Sequence, residues 1–233
     1  MGTLSGTTLT VTKTGTFKIK VETLANGIYG AGEKTITLTV SNGTVVAYDK
    51  ASAKVEITDV TKKEVTYKEP VNKKAKTVTI PATVKINGVT YKVTKIADNA
   101  FKNNKTVTGV TIGSNIKTIG KNAFYNCTKL KAVKIGNNVT TIGSNAFYKC
   151  TSLTGVIIPS KVAKIDKQAF YGCKKLKSIT IKTTKLTDKN VGSSAFKGIY
   201  TKATIKVPKK QLAAYKKLLK NKGVSSKAKV TGY

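Results

Sequence analysis

Two short apolar signatures, V-x-I and V-x-x-I, recur along most of the chain, set off by Gly, Asn, Thr and Lys. Val110/Ile112, Val133/Ile135, Val156/Ile158, Ile179/Ile181 and Ile205/Val207 form the first series, and Ile116/Ile119, Val139/Ile142 and Val162/Ile165 the second. Alternation over so few residues predicts short strands with one buried face, none able to bury itself alone. An Ala-Phe pair recurs with them at 100/101, 123/124, 146/147, 169/170 and 195/196, in steps of 23, 23, 23 and 26 residues. Segments in phase at such a period stack as a solenoid, each apolar side chain over its counterpart about 4.8 Å away. TVTIP at 77–81 joins the series one turn earlier if nine further residues protrude, with KINGVTYKV (85–93) as a hairpin around Asn87-Gly88. Six coils follow, with strands near 78–80, 110–112, 133–135, 156–158, 179–181 and 205–207. Their stack makes a rod about 24 Å long.

The same register lines up the expected core: Phe101, Phe124, Phe147, Phe170 and Phe196, with Cys127, Cys150 and Cys173 four residues after the Ala of their coils. The thiols could be a disulfide pair, a metal site or a packed column. Parallel side chains on adjacent coils rarely give a disulfide dihedral, and three is an odd number. Zinc wants four ligands, and the chain has no histidine to complete the set. A column of buried free thiols, acting as small apolar plugs, is the expectation.

Leu130 to Asn138 spells L-x-x-V-x-I-x-x-N, the leucine-rich-repeat consensus; Asn115 keeps the final Asn one coil earlier, and Lys161 and Thr184 replace it later. With the period of 23, the recurrent AF and the Cys upstream of the Leu, residues 66–223 resemble the BspA-like leucine-rich repeats of bacterial surface proteins. The resemblance implies a β-dominated leucine-rich-repeat solenoid with short turns or 3-10 segments, on a protein that is secreted or held at the cell surface. Some members of that family bind host matrix proteins such as fibronectin and fibrinogen.

The ends are written differently. TLTV (8–11), FKIKV (17–21) and TITLTV (35–40) alternate apolar residues with Thr or Lys, as strands with one wet face do. Gly15 to Val40 resembles the closing strands of a bacterial Ig-like domain, so 1–43 reads as a partial or small Ig-like region of antiparallel strands. Residues 44–69 read as a connecting hairpin and N-terminal cap, 70–207 as the solenoid, and 208–233 as a C-terminal cap. In that cap Pro208 opens an amphipathic helix over 209–222, Leu212, Tyr215 and Leu219 share a face, Gly223 stops it, and an extended tail follows. Such a lysine-rich helix could serve as a membrane or calmodulin-type segment, but a lid over the last coil is the simpler expectation. Met1-Gly2 before strand-like sequence reads as an expression start, with any leader removed.

Composition narrows the chemistry. All 43 basic residues are lysine against 10 carboxylates, for a formal charge of +33, with no histidine and no tryptophan. Histidine-based nucleophilic triads and imidazole ligands are therefore excluded, and the carboxylates are scattered, so no catalytic site or cofactor is expected. A charge of this size attracts polyanions at low salt. Arginine forks and aromatic platforms are missing, so no specific nucleic-acid partner is expected.

With the interior committed to packing, function belongs on the surface. Thr111, Lys134, Ile157, Thr180 and Lys206 lie between the two inward residues of each strand and are the candidate concave-face binding column. Gly109, Ala132, Gly155, Ser178 and Thr204 flank it. Tyr125, Tyr148 and Tyr171 form a candidate aromatic column for a glycan or peptide, or else a shield for the core edge. Asn99, Asn122, Asn145 and Gln168, each before its Ala, suggest a hydrogen-bond ladder. The expected function is a non-catalytic extracellular or cell-surface interaction module, a monomer that binds a host matrix protein, a glycan or an anionic cell-wall polymer. The alternatives are a structural spacer displaying other domains and a charge-driven binder of anionic polymers.

Overall fold

The computed structural model describes residues 15–22, 33–40, 45–47, 53–86 and 89–233, the first three ranges as backbone strands. β1 (Gly15–Glu22) and β2 (Glu33–Val40) pair antiparallel as a sheet of their own. The expected strand at 8–11 lies outside the described residues, as does the hairpin turn at 87–88. β3 (Val45–Ala47), β4 (Ala53–Asp59) and β5 (Glu64–Pro70) form an antiparallel meander that leads into the solenoid.

The solenoid has two parallel sheets on different sides of one core. After β6 (Thr77–Ile80), β7 (Thr83–Ile86) and β8 (Val89–Ile96) pair antiparallel, as hairpin arms do. The coils that follow contribute β9 (Gly109–Ile112), β10 (Thr118–Ile119), β11 (Ala132–Lys134), β12 (Thr141–Ile142), β13 (Gly155–Ile158), β14 (Lys164–Ile165), β15 (Ser178–Ile181) and β16 (Thr204–Val207). The six strands expected from the V-x-I series are all present. A seventh, β17 (Lys229–Gly232), extends their sheet beyond the six coils, giving the order β17-β16-β15-β13-β11-β9-β6. The V-x-x-I segments contribute to the second sheet, in which the two-residue strands β14, β12 and β10 lead to β8 and the sheet continues through β5, β4 and β3.

The third side of each coil is the Ala-Phe turn, whose backbone bonds to the next coil. Asn99, Phe101 and Asn103 donate their N–H groups to the carbonyls of Lys121, Ala123 and Tyr125 at 2.7–2.9 Å, and the pattern recurs a coil later from Asn122, Phe124 and Asn126. Two residues of each turn, four apart, are left-handed: Asn99, Asn122, Asn145, Gln168 and Ser194 in one column, Asn103, Asn126, Lys149, Gly172 and Gly198 in another. Asn tolerates that region better than most residues, which explains its recurrence. Of the expected Asn ladder, the structure contains one rung, Asn122 Nδ2 to Asn99 Oδ1 at 3.1 Å.

Within this wrapping the phenylalanines stack face to face. Phe101, Phe124, Phe147, Phe170 and Phe196 follow one another at 4.9–5.5 Å between centroids with interplanar angles of 4–17°. Tyr67 of β5 adds a ring to the front, 5.8 Å from Phe101. A short 3-10 turn at Lys209–Gln211 leads into α1 (Leu212–Asn221), which buries Tyr215, Leu218 and Leu219 at the far end. The Tyr215 hydroxyl donates to the Thr183 carbonyl at 2.9 Å and accepts from the Leu186 N–H at 3.1 Å.

Candidate functional site

Cys127, Cys150 and Cys173 are free and wholly buried. Each thiol donates to the carbonyl of the preceding coil's Phe: Cys127 to Phe101 at 3.0 Å, Cys150 to Phe124 and Cys173 to Phe147 at 3.1 Å. Burial raises the Cys127 and Cys173 thiols to about 12 and lifts Cys150 well above its ordinary value. Neutral, dry and already hydrogen-bonded, these groups are poor nucleophiles and poor ligands. No cluster of three or more metal-ligating Cys, Asp or Glu side chains occurs among the described residues.

Tyr125, Tyr148 and Tyr171 stack at 4.8 and 5.1 Å with angles of 2° and 8°. The outer end of the stack carries Lys102, whose Nζ lies 5.9 Å from the Tyr125 centroid, and Lys149 Nζ sits 5.5 Å from the Tyr148 ring. A glycan grips an aromatic ring by its face, and here the faces within the stack are occupied by neighbouring rings, with Lys102 beside the outer ring of Tyr125. The column offers a ligand its ring edges and hydroxyls.

The outward face of the seven-stranded sheet is more open. Strand alternation turns Val133, Val156 and Ile179 inward and their successors outward. Thr111 pairs with Lys134, Ile157 with Thr180 and Thr180 with Lys206, so the five candidate residues form one row across five strands. Ala132 opposite Gly155 carries the row from Lys134 to Ile157. Most of the row is polar or small. Ile157 is not, and its side chain is 52% exposed.

Around Ile157 lies a groove of about 560 Å³ that the outward column alone does not reveal. The turns after three successive strands bring Asn137 and Asn138, Pro159, Ser160 and Lys161, and Lys182 to its wall, beside Lys134. Three lysines line it and no carboxylate does. Lys161 donates to Asn138 Oδ1 at 2.6 Å; among the described residues none of the three lysines is paired with a carboxylate. The groove lies over β13, in the coil poorest in charge. Residues 140–162 hold two lysines, against five in 117–139 and seven in 163–185.

The BspA type Leucine rich repeat region matches the chain in six copies across residues 94–223, more than half of its length. Among solved structures, a leucine-rich repeat protein from Bacteroides capillosus is similar at 28% identity and a TM-score of 0.52, over 60% of this chain and 99% of that one. A leucine rich cell surface protein from Faecalibacterium prausnitzii is similar at 27% identity and a TM-score of 0.51, over 72% of this chain and 56% of that one. The pneumococcal vaccine antigen PcpA shares the fold at 20% identity and a TM-score of 0.56, over 74% of this chain and 52% of that one. No curated protein matches the chain. No helix among the described residues is long and apolar enough to cross a membrane. Repeat motif, register and stacked coils agree with the match: this chain belongs to the BspA-type leucine-rich repeat family of bacterial surface proteins.

Proposed function

We propose that this chain is a non-catalytic interaction module of the cell surface that holds a host matrix protein or glycan on the outward face of its seven-stranded sheet. The interior is consumed by packing, which leaves the outer skin for recognition. The observation that carries the reading is Ile157, a large apolar side chain 52% exposed amid a polar row. Burying the exposed half of such a side chain against a partner is worth roughly 0.8–1.5 kcal/mol, a contribution that, unlike that of the lysines, salt does not screen. Thr111, Lys134, Thr180 and Lys206 surround that anchor along the row and supply hydrogen bonds and charge.

The purified chain, immobilised at physiological salt, is expected to retain at least one of fibronectin, fibrinogen and a glycan panel, and Ile157→Asp to abolish that retention. Retention of none of them overturns the reading in favour of a spacer, a role supported by the core that runs unbroken from β4 to α1. Retention on heparin alone, lost by moderate salt, would mark bulk charge as the agent instead.

A further inference from the structure

The interaction module just proposed leaves the chemistry of its ligand open, and the groove over β13 narrows it. We infer that this groove takes an extended, acidic polypeptide segment carrying an apolar side chain, which sits on Ile157 and Pro159 while flanking carboxylates meet Lys134, Lys161 and Lys182. The inference rests on the reading of the sheet face as an interaction surface.

Charge complementarity supplies the sign. Three lysines line the groove with no carboxylate among its lining residues, although carboxylates elsewhere are paired, as Glu64 with Lys117 and Asp166 with Lys164. The floor supplies the second requirement. Lys134 and Lys182 belong to the coils on either side of β13, two strand spacings (about 9.6 Å) apart across it and offset by two residues along it, with Ile157 and Pro159 between. A chain of that girth fits lengthwise and sends alternate side chains to both walls. A sulfated glycan would satisfy the lysines but would cover the isoleucine with hydroxyls and leave its burial unrealised. An apolar residue flanked by carboxylates uses both features at once.

The test uses the whole chain, isotope-labelled at isoleucine methyls, titrated by NMR at physiological salt with three probes: an acetylated, amidated Glu-Asp-Leu-Glu-Asp peptide, the same peptide with Ser for Leu, and dextran sulfate. The leucine peptide is expected to shift the Ile157 methyl and to bind about 10-fold more tightly than the serine peptide. The paired variant Lys134→Thr/Lys182→Thr is expected to weaken it about 10-fold, while Lys121→Ser/Lys167→Ser, of equal net charge, changes it by less than about twofold. Protection of the buried thiols checks the fold of each variant. No binding of the leucine peptide, equal affinity for the two peptides, equal losses in the two lysine pairs, or dextran sulfate alone moving the Ile157 methyl would each overturn the inference. The two proposals fail separately: matrix-protein retention that needs Ile157 but survives Lys134→Thr/Lys182→Thr sinks the acidic-segment assignment and leaves the interaction module standing.

Discussion

Asn145 holds φ at 56°, and its side-chain oxygen is buried without a hydrogen-bond partner. What the fold asks of this position is a backbone conformation. Asn145→Gly is therefore expected to leave thermal stability nearly unchanged, whereas Asn145→Val, β-branched in a left-handed position, costs about 1–3 kcal/mol by denaturant unfolding. The column of Asn before each Ala was visible in the sequence, but a hydrogen-bond ladder and a left-handed turn choose the same residue, so composition could not separate them. The cysteines make a second residue-scale prediction. Their native values, about 12 for Cys127 and Cys173, lie above the unfolded thiol near 8.5, so the unfolded state loses its protons first as pH rises. Their contribution is whole below about pH 8.5 and declines towards 12, by up to about 1.4 kcal/mol per thiol for each pH unit. Urea midpoints measured from pH 8 to 10.5 should fall more steeply for the native chain than for its triple Cys→Ala variant. Thiol-reactive dye should find none of the three in the native chain and all three in urea.

The elements show where a period is informative and where it is silent. Strand positions and inward columns followed from the sequence because each apolar residue has a counterpart one step away, and the capping helix from its own helical spacing after Pro208. In the second sheet the two-residue strands, such as Thr141–Ile142, take in only the last apolar residue of each V-x-x-I, so that spacing marked the segment without marking the strand's extent. The groove escaped for a different reason: Lys161 and Lys182 reach Ile157 from turns in different coils, and a column-by-column reading compares only equivalent positions. Removing one member of the aromatic stack tests the core directly. Phe147→Ala leaves a gap between two rings each 5.1 Å away and is expected to cost about 3–5 kcal/mol by urea unfolding. At the C-terminal cap, Tyr215→Phe keeps the ring but strands the Thr183 carbonyl and the Leu186 N–H, for a loss of about 1–3 kcal/mol in the same assay. Lys222, buried against Asp188 at 3.0 Å, holds that carboxyl below its usual range. This tie is intact above the ordinary carboxylate value and weakens as pH falls through the lowered one.

At the scale of the whole molecule the question is how a charge of +33 tolerates stacking. Between residues 94 and 185 no lysine has another lysine 23 positions away; Lys131 and Lys177, for example, are separated by Thr154. Like charges directly opposite on neighbouring strands oppose pairing, and skipping a coil doubles their separation. Thr154→Lys, which closes that gap, is expected to lower stability by about 0.2–1 kcal/mol in low salt, with most of the loss recovered in high salt. The aromatic ladder has a further bearing on how this protein should be dissected. The family match opens at residue 94, but the row of rings opens with Tyr67, whose ring closes the front of the stack. A fragment cut where the motif begins would strip Phe101 of its end plate and wet the first rung, so such a piece should aggregate where one begun at Ala53 stays dispersed.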